Sequence, residues 1–204
     1  MSANSMILSK TSRVQWIARV SVLGALAFIL MLFEIPLPFA PSFYKLGFDE
    51  VVVMLGGFAL GPLAGAAIEI LKIVLNVCFQ GSDTAFVGEL SNLLIGLSLV
   101  VPSAFYYKKH RTLKGAWIAL IIGVISMSII GCLANYFIAL PAYSYFYGLP
   151  MEVIVGMGTA IFPLVTNTFT FVLFMTLPFN IVKGVVVALI TRLLYKRVSC
   201  LLHG

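Results

Sequence analysis

Long apolar runs are the feature of this sequence that most constrains its fold. Of the 204 residues, 61% are hydrophobic and only 10% are charged. In soluble domains roughly a quarter of the residues are charged. A run of about 20 consecutive apolar residues is long enough for one helical crossing of a bilayer. The sequence therefore predicts an all-α polytopic membrane protein, folded as a single membrane-embedded domain over residues 1–204.

The apolar runs predict a bundle of six transmembrane helices. They lie near residues 14–33, 49–60, 63–79, 89–107, 115–140 and 178–194. The second run is short for a crossing. Residues 164–177 are interpreted as a half-helix or cap, with a break at Pro178, because proline interrupts the hydrogen bonding of a helix interior.

Basic residues are placed unevenly along the chain, and this predicts its orientation. They cluster at the two ends of the chain and in the loop of about 108–114, namely Lys10, Arg13, Arg19, Lys108, Lys109, Arg111, Lys114, Lys196 and Arg197. Lys45 is the basic residue of the loops on the other side. The positive-inside rule then places both termini in the cytoplasm of a plasma-membrane protein. This placement accounts for the net charge of +6 without a nucleic-acid partner.

Two aromatic segments are predicted on the outer side. Residues of about 34–49 contain three prolines, which exclude a regular helix, together with Tyr44 and Phe48. Such a segment either lies in the headgroup region or folds over a cavity as a lid, and the residues alone leave both readings open. A second outer segment, 141–163, is rich in tyrosine.

Polar residues inside the predicted spans indicate a binding pocket near the outer side. Asn180 and Lys183 lie three residues apart and share a helix face. An ammonium at the centre of a span costs about 2.5–3.5 kcal/mol, so a polar pocket is favoured over the alternative that Lys183 reaches the membrane surface. Three further amides fall at the same depth, on Asn76, Asn92 and Asn135.

Small residues and one charged pair predict how the helices pack. Ala18, Ser21 and Ala25 share a face of the first span, which lets another helix of this chain or of a second protein approach closely. Glu69 and Lys72 are three residues apart in the third span and are predicted to form an internal salt bridge.

Missing motifs exclude several functions. The sequence has no P-loop for ATP, and its two histidines, His110 and His203, have no carboxylates or cysteines spaced as metal ligands around them. The sequence therefore predicts neither an enzyme nor a cofactor or metal site. An outward-facing polar and aromatic cavity for a small molecule is what remains.

Four stretches of the chain resemble the substrate-binding S components of energy-coupling factor (ECF) vitamin transporters, in particular the riboflavin-specific type. They are residues 56–65, 88–96, 135–137 and 177–184. The most specific part is the run Pro178-Phe179-Asn180 with Lys183. The resemblance implies six helices, a vitamin site under an outer lid, and a complex with a transmembrane coupling protein and two ATPase subunits that use ATP. It also implies that the face of Ala18, Ser21 and Ala25 meets the coupling protein, although Ser21 replaces the usual alanine.

A flavin fits the polar residues of the predicted pocket. Asparagine amides both donate and accept hydrogen bonds, as the imide edge of the flavin ring requires, and Lys183 can donate to a ring acceptor. The predicted substrate-binding residues are Asn135, Asn180, Lys183, Asn92, Asn76, Lys45, Asp49, Tyr44 and Phe48. Riboflavin is the predicted ligand, with FMN left open. The alternatives are another vitamin, such as thiamine or pantothenate, and a membrane-embedded enzyme acting on a lipid.

Overall fold

Helices account for nearly all of the chain described by the structure, a computed structural model that covers residues 3–41, 43–82, 84–148 and 150–202. They are α1 (Ala3–Met31), α2 (Asp49–Leu60), α3 (Pro62–Gln80), α4 (Val87–Lys109), α5 (Leu113–Ala134), α6 (Leu140–Tyr147), α7 (Met151–Ile161), α8 (Thr168–Phe171) and α9 (Leu177–Leu202). Two short strands, β1 (Ile35–Pro36) and β2 (Lys45–Leu46), form an antiparallel hairpin. Two π-helical turns, π1 (Asn135–Ala139) and π2 (Val172–Thr176), join α5 to α6 and α8 to α9. His203 lies outside the described residues.

Five helical stretches among the described residues are long and apolar enough to cross a membrane. They are Arg13–Met31, Pro62–Gln80, Val87–Lys109, Leu113–Phe146 and Thr168–Tyr195. The sixth predicted span, α2, has the predicted bounds but only 12 residues. At 1.5 Å per residue it is about 18 Å long, against a hydrocarbon core of about 30 Å. The all-α multi-pass membrane fold is confirmed, and a sixth crossing by α2 stays a prediction.

The prediction that Pro178 breaks the last span is wrong, and the fifth span extends beyond its predicted end at residue 140. Helical structure continues through Pro141 and Pro178, and a single residue separates each proline from a preceding π-helical turn. The N–H of Leu140 bonds to the carbonyl of Asn135, and the N–H of Leu177 bonds to that of Val172, five residues back in each case. A proline removes one hydrogen bond and crowds the preceding turn, and the wider π turn accommodates it.

The predicted outer segment 141–163 contains all but the first residue of α6 and all of α7. Short connections join the consecutive helices, so the loops fall at two ends of the bundle. Segments 32–48, 81–86 and 148–167 lie at one end, called the cavity end below. Gly61 and residues 110–112 lie at the other, called the basic end because lysines and an arginine surround the second connection.

Glycines bring α2, α3 and α4 into close contact. Gly61 turns the chain between α2 and α3 with a φ of +97°, which a side chain would rarely tolerate. A Cβ on Gly65 would lie 3.0 Å from the Cα of Gly57 and 2.6 Å from a methyl group of Val100. These distances leave no room for side chains at Gly57 and Gly65, so the three helices pack closely there.

A cluster of four buried charged side chains joins α2 to α3. The Lys72 ammonium lies 2.7 Å from an oxygen of Asp49, 3.0 Å from Glu50 and 2.9 Å from Glu69, and all four side chains are inaccessible to solvent. Gly96 of α4 makes room, since any side chain there would collide with the Glu69 carboxylate. The predicted pair of Glu69 and Lys72 is confirmed as part of this larger cluster.

We expect Lys72→Met to lower the free energy of unfolding by about 3–5 kcal/mol relative to the wild-type chain, because it leaves three buried carboxylates without their cation. Chemical denaturation in detergent micelles measures the free energy of unfolding. Lys114→Met is the matched control, because Lys114 is exposed beside the connection between α4 and α5. Equal stability of the two variants would contradict a structural role for the cluster.

Candidate ligand-binding site

A cavity of about 300 Å³ opens among the helices at the cavity end. Its volume is at the lower limit of the range that is usual for small-molecule sites. The lining combines aromatic rings, amides and charged groups from the lid, α3, α4, π1 and α9. The lining residues are Met31, Glu34, Phe43, Tyr44, Lys45, Asn76, Gln80, Gly81, Thr84, Gly88, Glu89, Ser91, Asn92, Ile95, Asn135, Ala139, Tyr143, Phe179 and Lys183.

The lid, residues 32–48, covers this cavity as a strand hairpin. β1 and β2 pair Ile35 with Leu46 and Pro36 with Lys45. Ala40 and Tyr44 are buried, and the aromatic ring of Phe43 packs against Tyr44 and Tyr143. Of the two open readings of this segment, the structure favours a lid that folds over a cavity.

Tyr44 links the lid to both π turns. Its hydroxyl donates to Oδ1 of Asn135 at 2.8 Å and lies 2.6 Å from Oγ1 of Thr176. Burial raises the pKa of the Tyr44 phenol above its ordinary value, so the group stays protonated. With its one proton donated to Asn135, it accepts from the Thr176 hydroxyl. The Tyr44 ring also stacks on Phe179, with 4.9 Å between the ring centroids.

Lys183 is the buried cation of the cavity. Its side chain is 5% exposed and lines the cavity from α9. Within the described part of the chain, its ammonium forms no ion pair shorter than 4 Å and no hydrogen bond. This ammonium is therefore positioned to donate to an acceptor on a ligand.

Glu34 is the half-buried carboxylate of the same cavity. Burial raises the pKa of its carboxyl above the ordinary value, and the ammonium of Lys183 is the group that most opposes this rise. The cavity thus combines the carboxyl group of Glu34 from the lid with the ammonium of Lys183 from α9. A second carboxylate of the cavity, that of Glu89, accepts a hydrogen bond from the Thr84 hydroxyl at 2.6 Å.

Six of the nine predicted substrate-binding residues line the cavity together. They are Asn135, Lys183, Asn92, Asn76, Lys45 and Tyr44. Their convergence agrees with the depth at which the predicted spans place the amides.

The other three predicted residues do not line the cavity. Asp49 is fully buried and engaged by Lys72, because α2 turns its first carboxylates towards α3. Phe48 stands next to it at the start of α2. Asn180 is 1% exposed and rests against Gly131, where a side chain would collide with its amide. Its Nδ2 has no hydrogen-bond partner among the described residues.

Sequence reasoning missed several lining residues, above all Glu34, Glu89, Gln80 and Phe179. Glu89 was missed because it is an acidic residue in the first turn of a helix. The helix dipole favours such a residue there whether or not it belongs to a site. Glu34 belongs to the site because the lid hairpin folds back over the helix ends, a contact that no local pattern encodes.

The face of Ala18, Ser21 and Ala25 on α1 is exposed in the described chain, whereas Gly24 packs against Leu71 of α3. The sequence left two partners open for this face, another helix of this chain or a helix of a second protein. The described helices of this chain do not cover it. It is therefore free for lipid or for a second protein.

We expect Glu34→Gln to become more stable than the wild-type chain as the pH rises. Because the folded-state pKa of Glu34 is raised, the contribution of its carboxyl to stability is fully present at low pH and is lost as the pH rises through that pKa. Glutamine does not titrate. Thermal midpoints of both proteins, measured from about pH 4.5 to about pH 8, should diverge in favour of the variant. Parallel curves would contradict the burial of this carboxyl.

Three comparisons with known proteins agree with this geometry. Residues 15–195 match the family model for the substrate-specific component of ECF transporters. A curated relative, the riboflavin transporter FmnP of Bacillus subtilis (strain 168), is 33% identical over 184 residues, which cover 90% of this chain and 91% of that protein. The riboflavin transporter RibU of Staphylococcus aureus (strain TCH60) is 33% identical over 180 residues, 88% of each chain.

A solved structure supports the same assignment. The S component of a bacterial ECF transporter is 32% identical, has a TM-score of 0.73, and is matched over 94% of this chain and 99% of that one. Members of this family are substrate-binding membrane subunits of transporters that work with an energising module, and they are not enzymes. The chain belongs to the family of ECF transporter substrate-specific components.

Proposed function

We propose that this S component captures riboflavin at the cavity end and delivers it inward with an ATP-driven coupling module. The observation that carries the proposal is the composition of the cavity. It combines a buried ammonium that forms no ion pair shorter than 4 Å and no hydrogen bond among the described residues, amides from three helical stretches and aromatic rings of the lid. The names of the two relatives that are 33% identical over about nine-tenths of the chain support the choice of vitamin.

The chemistry of riboflavin complements this cavity. Its isoalloxazine ring is flat and largely apolar, which suits the rings of Phe43 and Phe179. The imide edge of the ring offers one N–H between two carbonyl groups, which an asparagine amide such as that of Asn135 can bind with its own donor and acceptor. The ribityl hydroxyls need further polar partners, and Asn76 and Asn92 are placed to supply them.

The orientation of the bundle supports capture from outside. The basic residues Lys108, Lys109, Arg111 and Lys114 surround the connection at the basic end. By the positive-inside rule that end faces the cytoplasm, so both termini are cytoplasmic and the cavity opens outward.

Thiamine is the second candidate, because the carboxylates of Glu34 and Glu89 line the same cavity and a cationic ring would attract them. Titrating riboflavin, FMN, thiamine and pantothenate in one binding assay separates these ligands. A purified chain that quenches riboflavin fluorescence and is not competed by thiamine supports the proposal. A chain that binds thiamine but not riboflavin would refute it.

We expect Lys183→Ala to fold and to bind riboflavin about 1.5–3 kcal/mol more weakly, roughly 10- to 150-fold in Kd, because a charged hydrogen bond is lost. Quenching of riboflavin fluorescence by the detergent-purified protein measures the Kd. Lys114→Ala serves as the control, since this exposed lysine lies outside the cavity. Unchanged affinity of Lys183→Ala would remove this lysine from the site.

We also propose that the exposed small-residue face of α1 binds the transmembrane coupling protein of a module that contains two ATPase subunits. Ala18, Ser21 and Ala25 leave the backbone of α1 accessible, which allows a partner helix to approach closely. Because the face is on the surface of the described chain, bulky residues there should not disturb the core.

We expect Ala25→Trp to abolish assembly with the coupling module and cellular riboflavin uptake, while the purified chain still binds riboflavin. Copurification with the tagged module and uptake of labelled riboflavin are the two measurements. Ile125→Trp is the control, because Ile125 is exposed on α5, a different helix. Loss of uptake in both variants, or in neither, would argue against a specific contact through α1.

A further inference from the structure

Each polar atom of the Asn135 side chain has one protein partner. Its Nδ2 donates to the backbone carbonyl of Gly131 at 2.8 Å, and its Oδ1 accepts from Tyr44 at 2.8 Å. An amide that recognises an imide edge must offer both its donor and its acceptor to the ligand. Tyr44 therefore occupies one of the two lone pairs of this oxygen, in the position of a hydrogen-bond donor that a ligand would otherwise supply.

Asn180 is in the opposite condition. It is 1% exposed, its Nδ2 has no hydrogen-bond partner among the described residues, and it lies against Gly131, whose carbonyl binds Asn135. The two amides are thus close neighbours on adjoining helices. The cavity reaches Asn135 but not Asn180. A buried donor without a partner is unfavourable unless another state of the protein supplies one.

Tyr44 is the lid residue that is bound to Asn135. Its hydroxyl bridges Asn135 and Thr176, and Thr176 is one helical turn before Asn180. Its ring is stacked on Phe179, the residue next to Asn180. Tyr44 therefore presents a planar aromatic ring with one hydrogen-bond donor on its edge. A flavin ring, with its imide N–H, would present the same two features to the same residues.

From this match we propose that Tyr44 takes the place of the flavin ring on Asn135 and Asn180 when the site is empty. This inference rests on the proposed function and deepens it. The vitamin binds after the lid has withdrawn Tyr44, and withdrawal enlarges the cavity and opens it to Asn180. The apparent Kd then equals the intrinsic Kd divided by the fraction of molecules in which Tyr44 is withdrawn.

The test is the affinity of Tyr44→Phe for riboflavin. The substitution removes the hydroxyl that holds the lid but keeps the ring. We expect the Kd to fall about 5-fold, as the loss of a typical hydrogen bond in the empty state predicts, and the association rate constant to rise by a similar factor. A Kd that is unchanged or larger overturns the proposal, because Tyr44 would then be neutral or would itself contact the bound flavin.

Thr176→Val provides an independent test that leaves Tyr44 intact. Thr176 does not line the cavity, and its substitution removes only the hydroxyl that donates to Tyr44. We expect the same decrease in Kd with a smaller amplitude. If Tyr44 were a flavin ligand positioned by Thr176, the Kd would rise instead. Tyr145→Phe is the control, because Tyr145 is 84% exposed and its ring packs on Phe146.

The outcomes separate this inference from the function on which it rests. A wild-type chain that does not quench riboflavin fluorescence refutes the proposed function and the inference together. A wild-type chain that binds riboflavin, with Tyr44→Phe binding no more tightly or Thr176→Val binding more weakly, overturns only the role of Tyr44. Tighter binding by Tyr44→Phe, with Thr176→Val no weaker than wild type and Tyr145→Phe unchanged, supports the competition between Tyr44 and the vitamin.

Discussion

The ion pairs of Lys72 are the interaction on which the rest of the bundle depends. Helix α2 has only 12 residues, and its first turn carries Asp49 and Glu50 into the protein interior. Without a cation those carboxylates would be prohibitively costly to bury. Lys72 binds both of them and Glu69, which fixes α2 against α3. Asn76 follows Lys72 by one helical turn and lines the cavity, so the cluster supports the cavity floor.

The two π turns hold the lid in place through Tyr44. Each directly precedes the residue before a proline, and each supplies one polar side chain, Asn135 from π1 and Thr176 from π2, to the hydroxyl of Tyr44. A π turn inserts one residue into a helix and rotates the side chains that follow, which is one reason why such turns occur at functional sites. Pro141 and Pro178 do not end helices. Each lies just after a π turn whose polar side chain binds the same lid residue, Tyr44.

The sequence predicted what local chemistry determines and missed what distant contacts determine. The bounds of α2 were predictable, because acidic residues open it and a Gly-Pro turn closes it. The common depth of Asn76, Asn92 and Asn135 followed from counting residues along the spans. The ion pair of Asp49 with Lys72 was missed, and Asp49 was assigned to the cavity instead. That ion pair forms only when α2 and α3 fold against each other, which no local pattern in the sequence shows. The break predicted at Pro178 failed because a π turn is not visible in residue preferences.

The two buried lysines, Lys72 and Lys183, have different surroundings. Lys72 has three carboxylate partners within 3.0 Å and no exposed surface, so its charge is fully used by the fold. Lys183 is almost as buried, at 5% exposure, but has no such partner among the described residues and faces a cavity. A bundle that only needed stability would gain by replacing this ammonium with an apolar group. The proposed flavin would supply the acceptor that this ammonium lacks.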